Sequence, residues 1–358
     1  MFFADAQIAQ LVEQRTENPR VAGSIPALSI LQVWFNGRTP AFQAGYVGSI
    51  PITCFYYAKT SSDAWGFLHN HLFIGNDKDV RSNNIMEVFA LFFSPTGNTC
   101  EVTRAVAGGI AKVLSKGDFF SIDLTAKGDR FSVYDFGPED VVVLGMPTYA
   151  GRIPNKIAPY VEESIYGEGA TVIPVVTYGN RAYDDSLKEL ATIASENGMK
   201  IGSAVAMPCE HAFSDKLANA RPTEADIKQL ARYGEEIGEK IKKGEALIDV
   251  DSLPGRKLDE SEYYKPLRED GEAAKFLKAM VITDADKCTG CGACKEICPM
   301  GCFDKSPLIP EGICIKCHGC VHVCPNKAKH FEDEDLASHI RMLEKTYSNE
   351  DRQIEVFW

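Results

Sequence analysis

The segment CTGCGACKEICP, answered 26 residues later by CIKCHGCVHVCP, constrains this chain more than any other feature. Both copies read C-x2-C-x2-C-x3-C-P, with counterparts Cys288/Cys314, Cys291/Cys317, Cys294/Cys320 and Cys298/Cys324. They form an internal repeat. Three thiolates this close in sequence wrap one face of an iron–sulfur cube, and the fourth, beyond a short helical turn, reaches the other cube. Cys288, Cys291, Cys294 and Cys324 are therefore assigned to one cluster, and Cys314, Cys317, Cys320 and Cys298 to the other. Pro299 and Pro325 turn the chain away after each fourth ligand. Gly290, Gly292 and Gly319 keep the loop backbone close, so that N–H groups can point at cluster sulfurs. Zinc would use thiolates in two pairs, C-x2-C…C-x2-C. Four cysteines per copy, the last followed by proline, do not follow that pattern.

Nine of the twelve cysteines fall between Cys288 and Cys324. Without a basic–apolar–small secretory signal at the N-terminus, such crowding argues for metal ligation rather than a disulfide scaffold. Over residues 281–328 the segment resembles the two-cluster bacterial ferredoxins. The resemblance implies a small α+β domain with two 4Fe–4S clusters and one-electron transfer. Cys302, in CPMGCF, is left over and is expected to be a small buried hydrophobe. His318 and His322 lie inside the second copy. Hydrogen bonding near a cluster would tune its potential, but a solvated surface position is the expectation for both.

Upstream, strands and helices alternate. Apolar runs at 86–93, 119–124, 141–146, 171–178 and 200–207 read as strands, and helical spacing marks 100–114, 155–166, 184–197 and 223–242. Five strands alternating with helices imply an α/β domain, a doubly wound parallel sheet covered on both faces. Ligands of such sheets bind at the carboxyl ends of the strands, near the switch in strand order. Three loops fall there. SPTGNT (Ser94, Thr96, Gly97, Asn98, Thr99) opens a helix, and its hydroxyls and N–H groups suit a phosphate at the positive end of the dipole. It lacks the lysine of a triphosphate-binding P-loop. GMPTYAGRIP carries Pro147, Thr148, Tyr149 and Gly151, and TYGNRAYDD carries Tyr178, Gly179, Asn180 and Tyr183. Aromatic loops beside a phosphate site suggest a flat ring.

These loops resemble flavodoxins over residues 86–243. The resemblance implies a flavodoxin-like fold and FMN, with the phosphate on Ser94–Thr99 and the ring between the other two loops. Tyr149 and Tyr178 are the candidates for ring contact. Arg152 is open to two readings, an offset for the charge of reduced flavin or a surface salt bridge. Cys209, Glu210 and His211 are expected to be structural.

Residues 244–280, charged and broken by Pro254-Gly255 and Pro266, read as a linker arm. Residues 329–358 read as a helical tail whose apolar end, IEVFW, is expected to dock. Residues 86–358 as a whole resemble flavodoxin–ferredoxin fusion proteins of anaerobic bacteria and archaea. The formal charge of −12 argues against nucleic acid or an anionic membrane as partner. No apolar run is long enough to span a bilayer, and the expected location is the cytoplasm. Two function classes compete. One is an electron carrier exchanging with redox partner proteins; the other is an FMN oxidoreductase that reduces a small substrate with electrons fed through the clusters. No G-x-G-x-x-G follows a strand, so a built-in nicotinamide site is not expected. The carrier is the favoured reading, and nothing in the sequence indicates an oligomeric state.

Residues 1–85 show no coherent core pattern. GSIP occurs at Gly23–Pro26 and again at Gly48–Pro51, 25 residues apart. It can be encoded as GGT-TCG-ATT-CC, the T-arm of a tRNA gene. Ala9–Arg20 and Trp34–Pro51 can be encoded as the preceding tRNA arms, and Arg81–Met86 as a ribosome-binding site before a start codon. Residues 1–85 are therefore expected to be translated from two tandem tRNA genes and a leader, with a genuine poorly structured extension as the alternative. Cys54 then carries no function.

Overall fold

The computed structural model describes residues 86–358, and the reading of residues 1–85 lies outside the described residues. Short, continuous apolar runs become the central strands because both of their faces are buried. They are β1 (Val88–Phe92), β4 (Val141–Pro147), β6 (Thr171–Tyr178) and β8 (Ala204–Pro208); the largely exposed β2 (Phe120–Asp123) adds an edge, and the five run parallel in the order β2-β1-β4-β6-β8. The order is that of a flavodoxin-like doubly wound sheet, with its switch point between β1 and β4. Alternate residues serve opposite faces. Val88, Ala90, Val141, Val143, Val175 and Val205 meet α1 (Asn98–Leu114) and α4 (Glu224–Lys243). Leu91, Phe93, Val142, Leu144, Val172 and Val176 meet α2 (Ala158–Ser164) and α3 (Ser186–Glu196).

Glycines let α1 and α4 touch backbone to backbone. A Cβ on Gly109 would stand 2.1 Å from the Ala231 carbonyl oxygen, and one on Gly234 would stand 2.3 Å from that of Val106. Helix α4 starts at a capping box between Thr223 and Asp226 and ends at Gly244 in the left-handed conformation.

Three local differences from the sequence reading have physical causes. The expected fifth strand is broken at Gly202-Ser203, so that β7 (Lys200–Ile201) pairs with β6 separately from β8. The expected helix over 155–166 ends at Ser164. The residues after it form β5 (Ile165–Gly167), which pairs with β3 (Tyr134–Phe136) in a small parallel sheet. The main sheet also gains a strand from the far end of the chain. β11 (Glu355–Phe357) runs antiparallel to β8 and covers an edge that would otherwise expose unpaired backbone. Trp358 then lies under the Lys240 ammonium, 4.3 Å from the ring centroid. The apolar C-terminus thus docks, as its composition leads one to expect.

Between these two segments lies the cysteine-rich unit. β9 (Val281–Thr283) pairs antiparallel with β10 (Lys329–Phe331), and each copy of the repeat contributes one short helix, α5 (Ala293–Ile297) or α6 (Gly319–Val323). Val281, Phe303 and Phe331 pack in its interior. Helix α7 (Glu334–Tyr347), capped by Asp333, leads back to the sheet. Residues 244–280 follow the surface of the α/β domain. The Asp185 carboxylate accepts from Arg256, and the Tyr264 N–H donates to the Ala150 carbonyl at 2.8 Å. Among the described residues, no helix is long and apolar enough to cross a membrane.

Candidate functional site

The repeat folds so that its thiols ring two cavities rather than converge on points. One cavity is lined by Cys288, Cys291, Cys294 and Cys324. The other is lined by Cys298, Cys314, Cys317 and Cys320, with Cys302 beside them. Cys302 aside, each cavity brings together three cysteines of one copy and the fourth of the other. Among the described residues, no three Cys, His, Asp or Glu side chains close on a single-ion site, and all eight thiols are free of disulfides. Backbone N–H groups aim at the sulfurs: Cys302 at Cys298 (3.2 Å), Lys316 at Cys314 (3.4 Å) and Ala328 at Cys324 (3.2 Å). Burial pushes the Cys317 and Cys320 thiols up. Such thiols become thiolates when a metal takes the proton's place. The donor set and its spread fit two iron–sulfur cubes.

The two cavities sit differently. Around the first, Cys291 is exposed; we call it the distal cavity. The second is pressed against the α/β domain and is the near cavity. A Cβ on Gly319 would stand 2.8 Å from the Pro95 carbonyl oxygen, so α6 lies directly on the first loop. Gly319 thus serves this contact, whereas Gly290 (φ 69°) and Gly292 (φ 84°) supply the left-handed turns of the first copy. Arg130 reaches from the carbonyls of Leu124 and Thr125 to that of Pro299. The His322 ring nitrogen lies 3.0 Å from the Ala212 carbonyl oxygen.

Sequence reasoning expected small or solvated side chains at Cys302, His318 and His322. Cys302 is buried as expected, but its thiol lies between Cys298 and Cys314 and lowers the pKa of both. His318 is buried, between the rings of Phe213 and Phe331. His322 is tied to the loop after β8. Lys329 carries no local sequence signal. Its ammonium is buried between Thr283, Pro307 and the Phe303 ring, and it lines the distal cavity. One available signal was register: His318 occupies the place that Gly292 has in the first copy.

The three loops at the strand ends are brought together. The Thr99 and Thr177 hydroxyls are 2.7 Å apart, the Asn98 amide donates to the Glu210 carbonyl, and Thr148 N–H donates to the Thr177 carbonyl. Ser94 Oγ accepts from Cys100 N–H. Thr96 and Gly97 are half-buried at the loop's crest. The backbone N–H groups of Thr96, Asn98 and Thr99 meet no acceptor among the described residues. They lie at the positive end of the 17-residue α1, an arrangement that fits a phosphate.

In the second loop, Pro147 ends β4 and Gly151 (φ 81°) lies against Asp184. Tyr149 is pushed well above the ordinary phenol range by burial, with Cys317 and Cys314 adding to the shift. In the third loop, Tyr178 is not at the surface. It packs on Tyr183 in the core, its pKa pushed to about 12 by burial and then by Glu355. The His211 ring fills the space over Gly179. The Asn180 amide caps α7, donating to the carbonyls of Tyr347 and Glu350. Arg152 is committed to a largely buried pair with Glu189 and to the Tyr263 ring, a salt bridge that lies inside the domain rather than on its surface.

Two 4Fe–4S binding domain models match the chain, at residues 281–304 and 311–327. The polyferredoxin protein MvhB of Methanothermus fervidus is 37% identical over 76 residues, 20% of this chain and 18% of that protein. The pyruvate synthase subunit PorD of Methanothermobacter marburgensis is 43% identical over 51 residues, 14% of this chain and 63% of that protein. The chain thus spans less than two thirds of either relative. A solved flavodoxin from the domain Archaea is 18% identical, with a TM-score of 0.33, covering 44% of this chain and 99% of that one. The parallel strand order is that of a flavodoxin-like sheet and residues 281–327 carry the 4Fe–4S binding matches, an arrangement consistent with a flavodoxin–ferredoxin fusion.

Proposed function

We propose that the protein carries electrons between redox partner proteins by way of two 4Fe–4S clusters and FMN. The observation that carries this reading is the pair of cavities, each lined by four motif thiols drawn from both copies of the repeat, with Cys302 a fifth thiol in the near one. When bound, each cluster passes one electron and FMN one or two. Cys288, Cys291, Cys294 and Cys324 hold one cluster, and Cys298, Cys314, Cys317 and Cys320 hold the other. The N–H groups of Thr96, Asn98 and Thr99 take the FMN phosphate, with Ser94 and Gly97 shaping the turn. The Pro147–Gly151 and Tyr178–Asn180 loops flank the ring, and Tyr149 is the aromatic side chain offered to it.

Two placements support a carrier. The contact of Gly319 with Pro95 keeps the near cavity against the phosphate loop, which suits exchange inside one chain. The exposure of Cys291 gives a partner protein access to the distal cavity. Names of the relatives, a polyferredoxin and a subunit of pyruvate synthase, suit a carrier that serves a larger enzyme. The test is anaerobic purification followed by flavin, iron and sulfide analysis. About one FMN and about eight irons per chain are expected. Absence of FMN, or far fewer irons, ends this reading. Catalytic rather than stoichiometric consumption of a small acceptor would replace the carrier with an oxidoreductase.

A further inference from the structure

The two copies of the repeat part company at one loop position. Gly292 (φ 84°) precedes α5, and His318 (φ 60°) precedes α6, both left-handed. Glycine adopts this conformation freely, whereas a side chain there costs on the order of 1 kcal/mol. Strain of this kind persists where surrounding structure enforces it, often at functional sites. The surroundings of His318 are specific. Phe331 stacks on the imidazole at 4.6 Å and 10°, and Phe213 approaches its centroid to 4.4 Å. The residue is 8% exposed and lines the near cavity beside Cys317 and Cys320. Its Nε2 is buried and has no hydrogen-bond partner among the described residues. A buried polar atom left unpaired costs roughly 1–3 kcal/mol. The sulfurs of a cluster in this cavity are acceptors that would remove that cost.

Building on the cluster reading above, we propose that His318 donates a hydrogen bond from Nε2–H to the near cluster and raises its reduction potential. Reduction adds one electron and one negative charge to the cluster, and a donor at its sulfurs stabilises that added charge. No proton is transferred; the imidazole stays a neutral donor. His318 is thus a positioning and tuning residue that makes two clusters of one repeat unequal.

The test is a redox titration of the full chain, followed by electron paramagnetic resonance. His318→Phe keeps the aromatic stack and removes the N–H. It is expected to disfavour reduction of the near cluster about tenfold, a fall of about 59 mV for a one-electron couple, with the distal cluster unchanged. His318→Gln, which returns an N–H near the Nε2 position, should recover most of the shift. An unchanged near-cluster potential in a His318→Phe protein that retains about eight irons overturns the proposal, as does an equal shift of both clusters. If that variant fails to load the near cluster, double resonance on reduced wild type with 15N-labelled histidine decides. A nitrogen coupling to the near cluster is expected, and its absence overturns the proposal. Wild type with far fewer irons would instead end the cluster reading itself, so the two failures are distinguishable.

Discussion

The distal and near cavities use the same ligand set, drawn from the same repeat, and differ in everything around it. The distal cavity faces solvent at Cys291 and has the buried Lys329 ammonium in its wall. The near cavity is roofed by the α/β domain through Pro95 and Phe213 and has the neutral His318 in its wall. A duplicated cysteine motif therefore sets which metal group binds, while its neighbours decide what each copy is for. Exposure suits exchange with partners. Burial against the loop that opens α1 suits exchange within the chain. The second copy also binds the two domains together, because α6 can lie on Pro95 only while position 319 carries no Cβ.

The largest effect that would break the comparison comes from removing one ligand from each cavity. Cys291→Ala is expected to lose the distal cluster alone, and Cys320→Ala the near cluster alone. Iron should fall in each case from about eight to about four per chain. The fates of the two proteins should differ. Without the distal cluster, reduction by external ferredoxin should slow by at least tenfold while the domains stay together. Without the near cluster, the region around α6 loses the group its thiols enclose, and protease sensitivity should appear near residues 314–324. Iron analysis with limited proteolysis checks both. Identical proteolytic patterns would mean that the cavities are structurally equivalent.

These asymmetries were unevenly legible in the sequence. Cysteine spacing is local, so the crossed pairing of Cys298 with Cys314, Cys317 and Cys320 could be read directly. The strands of the sheet were legible because runs such as Val141–Met146 are apolar on both faces. The burial of His318 was not, because it depends on Phe213, which arrives from the far end of β8. Lys329 reads as a surface lysine until Thr283 and Pro307 are seen to enclose it. Tyr178 follows an apolar strand and precedes a Gly-Asn turn, which reads as a loop tip. Its ring instead turns inward to Tyr183, and the turn is used to cap α7. The docking of IEVFW could be inferred from its apolarity, but its antiparallel pairing with β8 depends on the path of α7 back across the domain.

A smaller effect concerns acid. His211 lies over Gly179 and meets Phe213 edge-on, and Phe213 in turn touches His318. Its Nδ1 accepts from Phe213 N–H at 3.1 Å, and burial, then His339 and Arg181, push its pKa down to about 4. Unfolded, the imidazole binds its proton near pH 6.5. Between these values the unfolded state holds more protons, so stability rises with pH there. The contribution is full above about pH 6.5 and is lost as the pH falls toward 4, amounting to about 3 kcal/mol. Because His211 reaches the near cavity through Phe213 and His318, the near-cluster signal should decay before the distal one as the pH is lowered through this window. His211→Gln should bring the two decays together. Loss of the distal signal first would remove His211 from the argument.

The smallest effect sharpens the comparison from the distal side. The distal wall carries the Lys329 side chain where the near wall carries the His318 imidazole. Its ammonium donates to Thr283 Oγ1 at 2.7 Å and to the Pro307 carbonyl, lies 3.7 Å from the Phe303 centroid, and bears on Cys294, whose thiol it draws down against burial. A cation fixed beside the cluster favours its more negative, reduced form. Lys329→Met preserves most of the side-chain volume and removes the charge. The distal midpoint should fall by about 59 mV, a tenfold change for one electron, and the near midpoint should stay where it is. The same substitution leaves Thr283 Oγ1 and the Pro307 carbonyl without their donor, so a stability loss of about 1–2 kcal/mol should accompany it. Lys329→Arg separates the two consequences: it keeps the charge, and hence the potential, while disturbing the packing against Phe303. If the arginine variant shows the same potential shift as the methionine variant, packing and not charge sets the distal potential, and the two cavities differ only in exposure.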